Sequence, residues 1–249
     1  MDFENKTILI TGASTGIGRA IGEKLLNVKC NLILTARRSE LITDWISEFE
    51  NQKAEILVLK NDVTDKNNVA KSYRKAVDRF EDIDIAILNS GIGKNITPET
   101  FSSQAAEDII NTNFLGNIYW IEQLLPDMMK RKEGIIAPVS SLADNRGYFG
   151  SGFYCASKSA LSIFAEGLSI DLIKHGIKVV TIKPGFVKTP MTDENKFKMP
   201  FLMSSEKSAD YIISGMKKGK NIIQFPLPTV LGSKLIGILP YWLYRMFAK

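Results

Sequence analysis

Histidine is almost absent from this chain: His175 is the only one among 249 residues. Cysteine is scarce too, with Cys30 and Cys155 alone. Three such groups cannot give a zinc ion four Cys or His ligands, and no metal site is expected. Two cysteines make no disulfide framework. A Ser-His-Asp or Cys-His hydrolase would have to use His175. That residue follows Lys174 and precedes Gly176 at the end of a long helical pattern. A cation at a helix C-terminus with a glycine cap is the plainer reading. Acid–base chemistry is left to Tyr, Lys, Asp or Glu.

Long apolar runs are missing as well. The longest, Leu235 to Tyr244, has ten residues, against the ~20 that a membrane-spanning helix needs. The first residues are acidic and no apolar stretch follows them, so a signal peptide is not expected and a cytoplasmic location is. Repeats, low-complexity stretches and nucleic-acid-reading motifs are also lacking. The rest is ordinary globular composition, 45% hydrophobic and 24% charged, long enough for one full core. The net charge of +5 is uneven. Residues 183–249 hold 11 Lys/Arg and 4 Asp/Glu, a net of +7, while residues 1–182 come to −2. Such asymmetry raises the question of an anionic partner.

Short apolar runs alternate with helical patterns. The runs are Thr7–Ile10, Leu32–Thr35, Ile56–Leu59, Ile83–Leu88, Ile135–Val139, Val179–Ile182 and Ile222–Phe225. Helical stretches such as Gly18–Leu26, Ser39–Glu50, Val69–Phe80 and Ala106–Lys130 lie between them. Continuous apolar strands are those of a parallel sheet covered on both faces. The expected fold is α/β: one doubly wound domain, a parallel seven-stranded sheet with helices on both faces. Pro138 lies within the fifth run and removes a ladder donor, so an irregularity is expected there. The expected organisation is a core of residues 1–225 and a C-terminal extension of residues 226–249.

In such sheets ligands sit beyond the carboxyl ends of the strands. After the first run comes Thr11-Gly12-Ala13-Ser14-Thr15-Gly16-Ile17-Gly18 and then a helix. Glycines let the backbone approach a pyrophosphate, and the helix N-terminus offers free N–H groups. Farther on, Tyr154-Cys155-Ala156-Ser157-Lys158 places Tyr and Lys four residues apart on one helix face. Free tyrosine titrates at ~10, and a nearby ammonium together with a positively charged nicotinamide would favour the phenolate and lower that value. Cys155 takes another helix phase and reads as a small buried residue.

The spacing Gly-x-x-x-Gly-x-Gly, with Tyr-x-x-x-Lys downstream, resembles the short-chain dehydrogenase/reductase family, its subfamily of about 250 residues. The resemblance covers nearly the whole chain and implies a Rossmann-type fold, a nicotinamide dinucleotide and a Ser-Tyr-Lys-Asn site. Ser141, thirteen residues before Tyr154, stands at the family spacing, with Ser140 as the alternative. In Asn111-Thr112-Asn113-Phe114-Leu115-Gly116 the glycine register selects Asn113, which in the family bends its helix and holds a relay water. The implied catalytic set is Asn113, Ser141, Tyr154 and Lys158. The implied cofactor contacts are Gly12, Ser14, Thr15, Gly16, Ile17, Gly18, Asp62, Val63, Asn89, Gly91, Tyr154, Lys158, Pro184, Gly185, Val187 and Thr189. Ser90 replaces the family's alanine in Asn89-Ser90-Gly91.

After the second run, Ala36 takes the place of a ribose-binding carboxylate, and Arg37 and Arg38 follow. An arginine fork suits a 2′-phosphate, so NADP(H) is preferred over NAD(H). Thr15 departs from the basic residue that many NADPH users of the family carry there. The expected reaction is NADPH-dependent reduction of a carbonyl to an alcohol, or its reverse. An NAD-linked alcohol dehydrogenase and a silent NADP-binding regulatory protein are the rivals. A lid over residues 190–205, with Met191, Phe197, Met199, Phe201, Leu202 and Met203, points to a small hydrophobic carbonyl or alcohol substrate. The tail from Thr229 to Lys249 is apolar, aromatic and basic, and Pro240 should divide it into two short helices. It fits peripheral membrane contact or the subunit contact of a homodimer or homotetramer.

Overall fold

The apolar runs become parallel strands because alternate side chains on each find a separate hydrophobic layer. In β1 (Thr7–Thr11), Ile8 and Ile10 join one core and Leu9 the other. The computed structural model describes residues 2–193, 195 and 198–247. Phe197 and Lys249, both named above, and the side chain of Phe247 lie outside the described residues.

The order along the chain is β1, α1 (Gly16–Leu25), β2 (Asn31–Ala36), α2 (Glu40–Ser47), β3 (Glu55–Lys60), α3 (Lys66–Phe80) and β4 (Ile85–Leu88). Then come α4 (Ser103–Ile110), α5 (Gly116–Arg131), β5 (Gly134–Pro138), α6 (Gly152–Asp171), β6 (Ile177–Val179) and β7 (Thr181–Pro184). The chain closes with α7 (Pro190–Asp193), α8 (Ser205–Lys217), β8 (Ile222–Phe225), α9 (Leu227–Ile238) and α10 (Tyr241–Phe247). The main sheet is ordered β3-β2-β1-β4-β5-β6, parallel throughout, and β7 and β8 form a second parallel pair. One core holds Ile21, Leu25, Trp45 and Met216, and the other Val69, Tyr73, Trp120 and Leu124. Helices therefore cover both faces.

The main sheet has six strands rather than seven, and Pro138 is the reason. Val180 N–H donates to the Ile136 carbonyl, and Ser140 N–H to the Ile182 carbonyl. The parallel pattern calls for the residue between them, at 138, to donate to the Val180 carbonyl. Proline has no N–H to give. The expected sixth strand divides at Val180 into β6 and β7, with only the Val139–Ile182 bridge beyond the break.

His175 ends a short 3₁₀ turn after α6, and Gly176 (φ 68°) caps it in the left-handed region. It precedes β6 and so lies at the amino edge of the sheet, opposite the edge where ligands bind in such folds. Pro240 separates α9 from α10, as the tail's sequence requires.

Candidate active site

The ends of β1, β2, β3, β4, β5 and β7 build the site together with α6. After β1, Gly12 (φ 67°) and Gly16 (φ 60°) take left-handed conformations that favour glycine. A Cβ on Gly18 would lie 2.4 Å from the Gly12 carbonyl oxygen, so the turn closes only around a bare backbone. Thr11 Oγ1 accepts from the N–H groups of Asn89 (2.9 Å) and Ser90 (3.1 Å). Asn89 Nδ2 donates back to the Thr11 and Gly12 carbonyls at 3.1 and 3.2 Å. The ends of β1 and β4 are thus tied together under the glycine turn. Thr15, the N-cap of α1, makes no side-chain cap bond, and no acidic residue lies in the first turn. The leading N–H groups remain free for an anion. Thr189, beyond the Pro184-Gly185 turn, faces this edge: a Cβ on Gly16 would sit 2.9 Å from its Cγ2.

Arg37 and Arg38 follow β2 directly, are exposed, and form no ion pair among the described residues. After β3, Asp62 turns its carboxylate to the Thr64 hydroxyl (2.8 Å), while Val63 is buried against Gly116. Pro184 ends β7 beside Phe225, and Gly185 N–H donates to the Phe225 carbonyl at 2.8 Å. Val187 pairs with Met203, which brings the two ends of residues 187–203 together. Ser14 and Ile17 sit within the glycine turn, half-buried.

On α6, Tyr154 and Lys158 share one face, with Lys158 Nζ 5.9 Å from the Tyr154 ring centroid. Lys158 is only 4% exposed and donates to the Val139 carbonyl at 2.8 Å. Burial in this apolar setting pushes its ammonium down to about 8. In the ligand-free protein Tyr154 lies above its ordinary value. Burial raises the phenol, and the Ser141 side chain opposes that rise.

The two serines after β5 separate cleanly. Ser141 lies beside Tyr154, where it favours the phenolate, and accepts from Ala143 N–H at 3.1 Å. Ser140 is turned away: its hydroxyl donates to the Lys158 carbonyl (2.9 Å) and accepts from Ser162 (2.7 Å).

The helix predicted across residues 106–130 is widened into a π turn at Asn111–Leu115. Such bulges re-aim side chains and recur at functional sites. Asn113, fully buried there, accepts from Ile92 N–H (2.7 Å) and donates to the Ile92 carbonyl (2.9 Å) and Ser157 Oγ (3.0 Å). Its own carbonyl accepts from Asn117 Nδ2 at 2.9 Å. A Cβ on Gly91 would be 3.2 Å from Asn113 Oδ1 and 3.4 Å from Lys158 Nζ. A side chain at Gly91 would crowd both polar groups, so only a bare backbone passes this close to them.

Sequence reasoning missed the support beneath these residues. The Asp144 carboxylate bonds Ser162 and pairs with Lys183 Nζ at 2.7 Å, both under the turn that carries Ser141. Ser157 anchors Asn113. Only its place inside the Tyr-x-x-x-Lys segment could have drawn attention to it.

Over the site, a Cβ on Gly93 would touch Met191 Sδ at 3.4 Å and Tyr154 Cδ2 at 3.6 Å. Met191, on α7, thus forms an apolar wall beside the Tyr154 ring. The bare glycine turn and the uncapped start of α1 suit the pyrophosphate of a dinucleotide.

This is a nucleotide-binding α/β fold with a Tyr–Lys site at the carboxyl edge of its sheet. Residues 6–199 match the family model of the short chain dehydrogenases. The chain is 31% identical to an uncharacterized oxidoreductase of Myxococcus xanthus over 248 residues, all of this chain and 98% of that one. It is 30% identical to the NADP-dependent 3-hydroxy acid dehydrogenase of Schizosaccharomyces pombe, covering 89% and 90% of the two chains. A short chain dehydrogenase/reductase of Burkholderia phymatum, solved in complex with NAD, superposes with a TM-score of 0.86 at 20% identity over 94% of each chain. The protein belongs to the short-chain dehydrogenase/reductase family and is an oxidoreductase of that family, whose members bind NAD(P) and act on small substrates.

Proposed function

We propose that the protein is an NADPH-dependent reductase of a carbonyl group in a small hydrophobic substrate, or the corresponding alcohol dehydrogenase in reverse. The observation that carries this reading is Ser141 beside Tyr154, close enough to favour its phenolate, with Lys158 one turn along the same helix. A bound nicotinamide supplies or accepts the hydride. Tyr154, whose raised pKa keeps its proton near neutrality, gives that proton to the carbonyl oxygen. Ser141 donates to the same oxygen and holds it beside the phenol. Lys158 binds the nicotinamide ribose and, in its charged form, steadies a phenolate after transfer. Asn113 fixes the loop at Ile92 and the start of the relay toward Lys158.

The glycine turn, Asp62, Val63, Asn89, Gly91, Val187 and Thr189 complete the cofactor cleft in this reading, with residues 190–205 as its lid. Residues 1–225 form the catalytic unit and residues 226–249 an extension. Arg37 and Arg38, unpaired beside Ala36, favour a 2′-phosphate. The relative from Schizosaccharomyces pombe is named for NADP, which supports the same choice. NAD(H) is the second reading, since α1 and Gly91 would hold either dinucleotide. Met191 beside Tyr154 and exposed Phe201 and Leu202 favour an apolar substrate. A homodimer or homotetramer is the expected assembly. The test follows NADPH oxidation across ketones, aldehydes and quinones of graded size. Turnover rising with apolar size supports the reading, and inertness toward the whole series contradicts it.

A further inference from the structure

The tail helices are fastened to the body on one side and left bare on the other. On the inner side, Asn145 Nδ2 donates to Ser233 Oγ at 2.9 Å, and Ser233 Oγ donates to the Leu142 carbonyl at 3.1 Å. Arg146 donates to the Leu239 carbonyl and lies 4.9 Å from the Tyr244 ring centroid. Val230, Ser233 and Tyr244 are buried. On the outer side of α9, Leu227, Leu231, Leu235 and Ile238 recur at helical spacing, and each is at least 59% exposed. Tyr241 and Trp242 extend that surface onto α10, each 68% exposed. Lys234 and Arg245 are exposed among them. From Pro226 to the end of the sequence there is no Asp or Glu.

We propose that the outer face of α9 and α10 docks onto an anionic lipid surface. A patch of leucines, Trp and Tyr interleaved with cations has the chemistry of an interfacial helix pair. No described helix is long and apolar enough to cross a membrane, so the face would lie along the surface. Charge separates this occupant from a second copy of the chain. A twofold contact sets the same patch against itself, and that patch has no carboxylate to offer Lys234 and Arg245. Anionic headgroups provide the missing counter-charge. The same helices brace the turn after Ser141, through Leu142, Asn145 and Arg146. The protein would thus rest on the lipid through an element rigidly joined to its site.

Truncation would disturb that brace, so the test uses outward-facing residues in the full chain. The full chain is sedimented with vesicles of phosphatidylcholine alone, or of phosphatidylcholine and phosphatidylglycerol in equal parts. Binding about tenfold stronger to the anionic vesicles, falling with added salt, is expected. The Leu235→Glu/Trp242→Glu and Lys234→Glu/Arg245→Glu variants should each lose that advantage at an unchanged unfolding midpoint. The second pair alters charge only and stands if the first fails to fold. Equal binding to both vesicle types, or none to either, overturns the proposal. So does a fall in particle mass in the variants with vesicle binding unchanged, which would assign the face to a second copy.

Discussion

Lys158 Nζ donates to the Val139 carbonyl at 2.8 Å, which binds the base of the site to the end of β5. The ammonium is held where burial opposes its charge, and its pKa is about 8 against the ordinary 10.5. Between those values the unfolded chain holds the extra proton, so stability rises with pH there and is lowest below 8. In ligand-free protein, wild type should gain about 2–3 kcal/mol on Lys158→Met as pH goes from 8 to 10. Urea unfolding of both proteins at each pH measures this. A constant difference would mean that Lys158 titrates normally.

Ser140 and Ser141 adjoin in sequence and part in function. Ser141→Ala removes the hydroxyl beside Tyr154 and should lower kcat about 100-fold, with little change in cofactor affinity. Ser140→Ala breaks the buried links to Ser162 and the Lys158 carbonyl. Its main effect should be a stability loss of about 1–3 kcal/mol. Steady-state kinetics with thermal unfolding of both variants would expose an exchange of these roles.

Arg37 should set the cofactor preference. Arg37→Asp removes a guanidinium partner of a 2′-phosphate and places a carboxylate beside it. NADPH affinity should fall about 10- to 100-fold while NADH affinity holds or improves. Fluorescence titration with both nucleotides reads the ratio, and equal losses for the two would leave Arg37 no part in the choice.

Gly18→Ala drives a methyl toward the Gly12 carbonyl and Asn89 Nδ2. The turn must open, and cofactor affinity should fall at least about tenfold. The same titration checks this, and unchanged affinity would show that the turn tolerates opening.

The strands were legible because most are short apolar runs, and the central ones, β1 and β4, are buried on both faces. The glycine turn, Ser141, Tyr154 and Lys158 were legible because the family spacing links them. Pro138 announced an irregularity, but its result depended on which β5 donor faces Val180, a matter of register that sequence does not display. The partners of Asn113 are Ile92 and Ser157, and those of the tail are Leu142, Asn145 and Arg146. Asn145 and Ser233 lie 88 positions apart, a contact that no local pattern encodes. The raised phenol pKa of Tyr154 had the same origin: its helix neighbour Lys158 was visible in sequence, its burial was not.

Tyr154→Phe tests the central claim most directly, because it removes one oxygen and leaves the ring in place. NADPH oxidation with the best carbonyl substrate and NADPH binding should be measured on the same preparation. The expected result is turnover reduced at least about 1000-fold with the dissociation constant for NADPH nearly unchanged. Turnover within about tenfold of wild type would contradict it and move proton transfer to another group.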